Sequence, residues 1–232
     1  MISLKSGLNY DILGLMCGMN ASNAKRNQKT GVDLLNKTLL TLGRLPSRNF
    51  MTIKEFENCF AGDDTIIIDA TEQRIQRPKD KEEQKACYSG KKEQRTLKET
   101  IIATKDKVIR YLSSPYQGKN HDYRLLKEDF PPDEKCFTDL NIKVDLGYLG
   151  IAKDYICKTI SIPHKKTKNN PLTEEQKLSN KAMASERIIV EHSIGGMKRY
   201  RILSDRLRLC DFDFYDVILG VCAGLWNYHL LA

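Results

Sequence analysis

The sequence has no apolar run of about 18 residues or more, so nothing in it reads as a membrane-spanning helix. Its most apolar stretch, residues 215–232, is interrupted by Asp216, Asn227 and His229 and reads as a buried C-terminal helix. The first residues lack the basic, apolar and small-residue order of a signal peptide. Seven cysteines stand singly, with no CxxC pair and no Cys/His knuckle. Their odd number and isolation argue against a disulfide framework or a zinc site, and a reducing cytoplasm is the expected setting. There is no GxxxxGK[ST] phosphate loop and no GxSxG elbow, which removes P-loop and serine-nucleophile chemistry. The four histidines lack a metal-ligand spacing, and His121 or His192 reads as a local hydrogen-bonding residue. Internal repeats and low-complexity tracts are absent.

What is present suits one domain of ordinary size with a small accessory piece: 232 residues, 41% of them hydrophobic, enough for a core. The formal net charge is +8, and it is concentrated. Between Lys158 and Arg201 ten Lys and Arg face four acids, which points to a polyanionic partner and to nucleic acid in particular.

Along the chain, residues 1–45 read as helical. A helix over 10–17 is broken by Gly18, and Asn20 or Ser22 caps a second one that carries Lys25, Arg26 and Lys29. That pattern matches a helix-turn-helix, and a plain helical hairpin fits it nearly as well. A linker over 46–63 with Pro46 contains a short helix, 52–60. From residue 64 onward the character changes. The run TIIIDA at 65–70 is β-branched and ends in an acid, as a buried central strand does. A charged excursion over 77–95 precedes two strands, 97–104 and 107–112, joined by a tight turn. A short helix at 121–129 stops before Pro131 and Pro132. Another strand, 141–145, meets Gly147, and a basic loop follows it. Thr173 then caps a long helix, with Glu174 and Glu175 at its positive end, and a final helix covers 214–231. The expected fold class is α/β: a mixed sheet flanked by helices.

Asp69 and Asp145 each end an apolar strand. Two strand-end carboxylates at one sheet edge are a way to hold divalent cations, since burial without a cation raises their pKa or leaves costly charges. Glu191 lies in a helical run between Arg187 and Lys198, and at 100° per residue all three project from one face. Arg187 and Glu191 also fit a solvated i,i+4 pair. Against that, Ile188, Ile189, Val190, Ile194 and Met197 leave little of this helix free for solvent.

Five strings in register, IIIDATEQRIQRP, YSGKKEQRTLK, NHDYRLLKE, VDLGYLGI and ERIIVEHSIGGMKRYRIL, resemble bacterial insertion-sequence transposases of the Harbinger-like DDE superfamily endonuclease type. The resemblance runs from residue 64 to the C-terminus. It implies an RNase H-like catalytic domain over 64–232 with a catalytic and metal-binding triad of Asp69, Asp145 and Glu191. Arg187, Lys198, His121 and Asp122 take supporting roles, with Asp122 a rival ligand ranked below Asp145. Residues 1–45 likewise resemble the helix-turn-helix that precedes such domains. The implied cofactors are two Mg²⁺ or Mn²⁺ ions, hard cations that prefer oxygen ligands.

The implied partner is double-stranded DNA, at element ends and target, met by a homodimer in the bacterial cytoplasm on the nucleoid, with no membrane. Lys25, Arg26, Lys29, Lys91, Lys92, Arg95, Lys165, Lys166 and Lys168 are the expected contacts to its backbone. The chain departs from the family pattern at Ala184, where the family has a Tyr, and at Glu93 and Gln94, in a stretch that is usually more basic. It also starts close to the helix-turn-helix, so the alternative expectation is a truncated relic that binds DNA without cutting it.

Overall fold

The structure, a computed structural model, describes residues 1–167, 171–208 and 211–232. Among them, seven strands form a mixed sheet around the central strand β1 (Thr65–Arg74). On one side β1 pairs antiparallel with β3 (Gln94–Thr104), from Ile66↔Thr104 to Arg74↔Thr96. The outer edge of β3 takes three short partners: β2 (Tyr88–Ser89), β4 (Ile109–Leu112) and β5 (Tyr116–Gln117). On the other side β1 runs parallel to β6 (Asn141–Lys143), and β6 runs parallel to β7 (Thr159–Ser161).

The period-2 alternation of the strands separates two cores. Ile67, Leu97, Ile101 and Ala103 point to one face. There they meet Val190 and Met197 of the long helix α8 (Glu174–Lys198) and Tyr215, Ile218 and Leu219 of α9 (Phe212–Leu231). Ile66, Ile68, Ile102 and Ile142 point to the other, against Leu126 of α6 (Asp122–Asp129) and a group of aromatics. Phe56 and Phe60 of α4 (Ile53–Cys59) and its C-terminal cap belong to that group, so the stretch 46–63 contributes to the core of the sheet. Ser47 bridges to Tyr111 of β4, and Arg48 pairs with Asp216 of α9.

Helix α2 (Tyr10–Met16) is capped by Asn9 and α3 (Ala21–Thr41) by Asn20, each side chain accepting a backbone N–H in the first turn. Between them Gly18 takes φ 65°, and the chain turns so tightly that a Cβ on Gly14 would lie 2.6 Å from the Met19 carbonyl oxygen. Helix α3 then packs on α9 through Val32 and Leu39. Thr173 and Gln176 form a reciprocal capping box at the start of α8.

Three features depart from the sequence reading. The strand at Asp69 continues to Arg74, because β3 pairs with it along its whole length. The excursion 77–95 holds a capped helical turn, α5 (Lys81–Ala86), and the strand β2. The basic loop after Gly150 contains β7, too short for a periodic signal but fixed by its parallel pairing with β6.

Candidate active site

Asp69 lies mid-way along β1, where the four buried residues 65–68 give way to a half-buried position. Strand β6, parallel to β1, ends at Lys143. Two residues on, the half-buried Asp145 turns the chain by accepting the Gly147 N–H on Oδ1 at 2.7 Å. Asp145 thus lies just beyond the carboxyl end of β6, near enough to Asp69 on the neighbouring strand for its charge to raise the Asp69 pKa. Asp122 arrives from a third direction as the first residue of α6. A Cβ on Gly147 would lie 2.8 Å from Asp145 Oδ1 and 3.1 Å from Asp122 Oδ2, so the absent side chain leaves room for both carboxylates.

The electrostatics of the site follow from this crowding. Burial pushes the Asp69 carboxyl up to about 6. The Ala70 N–H, donated to Oδ1 at 2.8 Å, opposes the shift; Asp145 adds to it, Arg187 opposes it and Asp122 adds to it. Tyr148, wholly buried, has a hydroxyl without a hydrogen-bond partner among the described residues. Its acidity is suppressed by burial and then by the negative charges of Asp69, Asp122 and Asp145. Lys98, buried on β3, is the balancing cation: its ammonium pairs with Asp122 at 2.7 Å and Glu72 at 3.7 Å and donates to the Asn120 carbonyl. A cleft of about 460 Å³ opens beside these groups, with Asp122 and Asp145 on one wall and Lys91, Lys98, Lys119 and His121 around it.

Helix α8 crosses the same face of β1. Lys143 of β6 pairs with Glu186 at 2.8 Å, Arg187 sits half-buried within the field of Asp69, and Lys198 donates to the Glu72 carbonyl at 2.6 Å. Burial lowers the Lys198 pKa, partly offset by Glu99. Glu191, between these anchors, is exposed, and no hydrogen bond or ion pair among the described residues ties it to the aspartates. As the side chains stand, no three His, Cys, Asp or Glu among the described residues converge closely enough to hold a metal ion.

The remaining sequence-derived positions are spread out. Lys91 lines the cleft, Lys92 is exposed and close enough to Lys198 to depress its pKa, and Arg95 is half-buried and donates to Gln84. Lys25, Arg26 and Lys29 are exposed on α3, and Lys165 and Lys166 are exposed before α8. Lys168 lies outside the described residues. Sequence reasoning missed Lys98 and Lys119. Lys98 gave no local signal, since β3 also carries Arg95, Glu99 and several threonines.

Gly147→Ala tests how tightly the carboxylates are placed. Asp145 can swing away from the new methyl group, so the melting temperature should change little. A displacement of about 1 Å in a catalytic group costs on the order of a hundredfold in rate. On the activity that the sequence resemblance implies, the expected result is a loss of DNA nicking of about that size; a variant that cuts at the wild-type rate would show that the glycine does not shape the site.

A family profile described as DDE superfamily endonuclease matches residues 68–227, and the chain belongs to that family. More particularly, it is 35% identical over 178 residues to a probable transposase for insertion sequence element IS702 from Microchaete diplosiphon. That alignment covers 76% of this chain and 61% of the relative, so the chain spans about three-fifths of that protein's length. No solved structure matches the chain significantly. No helix among the described residues is long and apolar enough to cross a membrane.

Proposed function

We propose that this chain cleaves and joins DNA at insertion-sequence ends, using divalent metal ions held by Asp69, Asp145 and Glu191. The observation that carries the reading is the closeness of Asp145 to Asp69, whose carboxyl burial pushes up to about 6 and whose shift the Asp145 charge enlarges. The unpartnered Tyr148 hydroxyl beside them and the all-oxygen donor set suit a hard cation. Two Mg²⁺ or Mn²⁺ ions so held would polarise the scissile phosphate, activate water or a DNA 3′-hydroxyl, and stabilise the leaving oxygen.

The chain's own groups then divide the remaining work. Arg187 offsets negative charge at Asp69, and Lys91 and Lys119 line the cleft where a DNA backbone enters. Lys98 holds Asp122, which makes Asp122 a positioning group and leaves the ligand role to Asp145. Glu191 completes the ligand set from the exposed side of α8.

The strand order, with β1 central, antiparallel to β3 and parallel to β6, supports an RNase H-like catalytic domain over 64–232. The α2–α3 pair, with exposed Lys25, Arg26 and Lys29, supports a helix-turn-helix role in duplex binding. Joining two element ends calls for two active sites, hence a dimer on DNA, in the cytoplasm at the nucleoid.

The test combines nicking with stability. Nicking of duplex DNA should require Mg²⁺ or Mn²⁺ and stop in chelator. A purified chain that binds DNA and never nicks it with either ion would leave only the DNA-binding relic.

Stability should respond to pH in a defined direction. With the folded-state pKa of Asp69 raised from 3.8 to about 6, the folded chain holds a proton that the unfolded chain has lost between those values. Stability therefore falls as pH rises through that window, and above it the full cost remains, on the order of 3 kcal/mol. In chelator the melting temperature should drop between pH 4 and pH 7, and Asp69→Asn should remove part of that drop. At pH 8 Mn²⁺ should raise the melting temperature by binding the folded carboxylates, and at pH 4 it should not. Identical pH profiles for the two proteins, or a Mn²⁺ effect independent of pH, would defeat the metal-site assignment.

A further inference from the structure

Beyond the site, β1 ends at Arg74, and the segment after α8 folds back along that end. Leu207 N–H donates to the Arg74 carbonyl at 2.7 Å, Gln76 N–H donates to the Leu207 carbonyl at 3.1 Å, and Leu207 itself is buried. Gln73 Nε2 donates to the Asp205 carbonyl at 2.5 Å, so the segment is fixed from both sides of the bridge. Arg206 and Arg208 flank the buried Leu207 and are both exposed, as strand-like alternation requires. With Arg74, Arg201 and Ser204 they surround a cleft of about 350 Å³ whose one acid, Asp205, pairs with Arg201 at 3.2 Å. The guanidinium groups of Arg74, Arg206 and Arg208 have no ion-pair or hydrogen-bond partner among the described residues.

Three unneutralised guanidinium groups held together on a hydrogen-bonded backbone repel one another and do nothing for the fold. Their planar, multi-donor shape fits phosphate oxygens. Arg74 is five residues beyond Asp69 on one strand, about 17 Å at 3.3 Å per residue.

We infer that this arginine cleft is a second DNA contact, gripping the duplex backbone away from the phosphate to be cut. The inference rests on the reading of the chain as a DNA-cutting enzyme but is tested without cutting. It assigns Arg74, Arg206 and Arg208 to sequence-independent phosphate binding that sets how far the duplex lies across the sheet.

The experiment measures anisotropy of a fluorescent duplex of arbitrary sequence, long enough to span both places, in chelator and over a salt series. Arg206→Glu/Arg208→Glu is compared with wild type, with Arg206→Lys/Arg208→Lys, and with Lys54→Glu/Lys135→Glu as a control of equal charge change on the α4 side. Loss of two phosphate contacts should lower the log–log salt slope by about 2 and weaken binding about tenfold or more near physiological salt. The lysine variant should keep most of the slope, and the control should keep all of it. Equal slopes for the arginine reversal and the control, or a wild type that does not bind duplex, would overturn the inference. A wild type that shows the slope difference yet never nicks DNA would overturn the metal-dependent cutting alone.

Discussion

Asp69→Asn and Asp145→Asn should each lower metal-dependent DNA nicking by about a thousandfold or more while the chain stays folded. A thousandfold corresponds to about 4 kcal/mol of transition-state stabilisation. Replacing a charged oxygen ligand by an amide removes a large part of what a hard cation gains from the site. Glu191→Gln belongs to the same expectation, with a different stability signature. Asp69 is half-buried and electrostatically costly when ionised without metal, whereas Glu191 is exposed and has no hydrogen-bond or ion-pair partner for its side chain among the described residues. A gel assay of supercoiled DNA in Mn²⁺, run beside circular dichroism, reads both quantities. Retention of cutting by either Asn variant would remove that residue from the site, and loss of cutting with loss of structure would be uninformative only for that residue. Asp122→Asn supplies the internal comparison. Asp122 is committed to Lys98, so its replacement should disturb the pairing and cut more slowly without the full loss.

The largest effect on stability should come from Phe56→Ala. Phe56 is 1% exposed, and its ring meets Phe60 at 4.6 Å, Phe50 at 5.3 Å, Phe137 at 5.5 Å and Phe130 at 5.7 Å between centroids. Truncating a buried Phe costs about 3–5 kcal/mol through lost transfer energy and the cavity left behind. For a chain of this size that is a fall of roughly 10 °C in melting temperature. The same cluster contains Val144 and Tyr148, on either side of Asp145. The softened core should therefore also raise the metal concentration needed for nicking. A melting temperature within about 2 °C of wild type would mean that α4 does not support the sheet as the packing indicates.

Much of the scaffold was legible because local chemistry and tertiary need coincide. The run Thr65–Ile68 is β-branched and buried on both faces, so its strand and the acid that follows could be read directly. Thr173 announces α8 because a side-chain cap is a local device, and the Gln176 half of the box completes it within one turn. The polar end of β1 could not be read: Glu72, Gln73 and Arg74 are extended only because β3 pairs with them. Strand β7 has three residues and exists through its neighbour.

At the site, the two aspartates could be found because each follows a short apolar run, although β1 continues past Asp69 and β6 stops two residues before Asp145. Lys98 could not be, since its partner Asp122 is a neighbour only after the sheet and α6 have assembled. The stripe of Arg187, Glu191 and Lys198 was readable as spacing, but which member reaches the sheet depends on how α8 leans across β1. Arg187 and Lys198 do so, and Glu191 stands outward.

Helix α8 is pinned to the sheet at both ends of this stretch, by Glu186 on Lys143 and by Lys198 on the Glu72 carbonyl. The glutamate between the pins carries none of the helix's attachment. Selection for folding is therefore blind to that position: on the proposed ligand set, a copy that loses Glu191 would keep its shape while losing its cutting. Such a copy would still occupy the DNA its active sibling needs, so a single substitution on the open side of one helix could turn an element's own enzyme into its competitor.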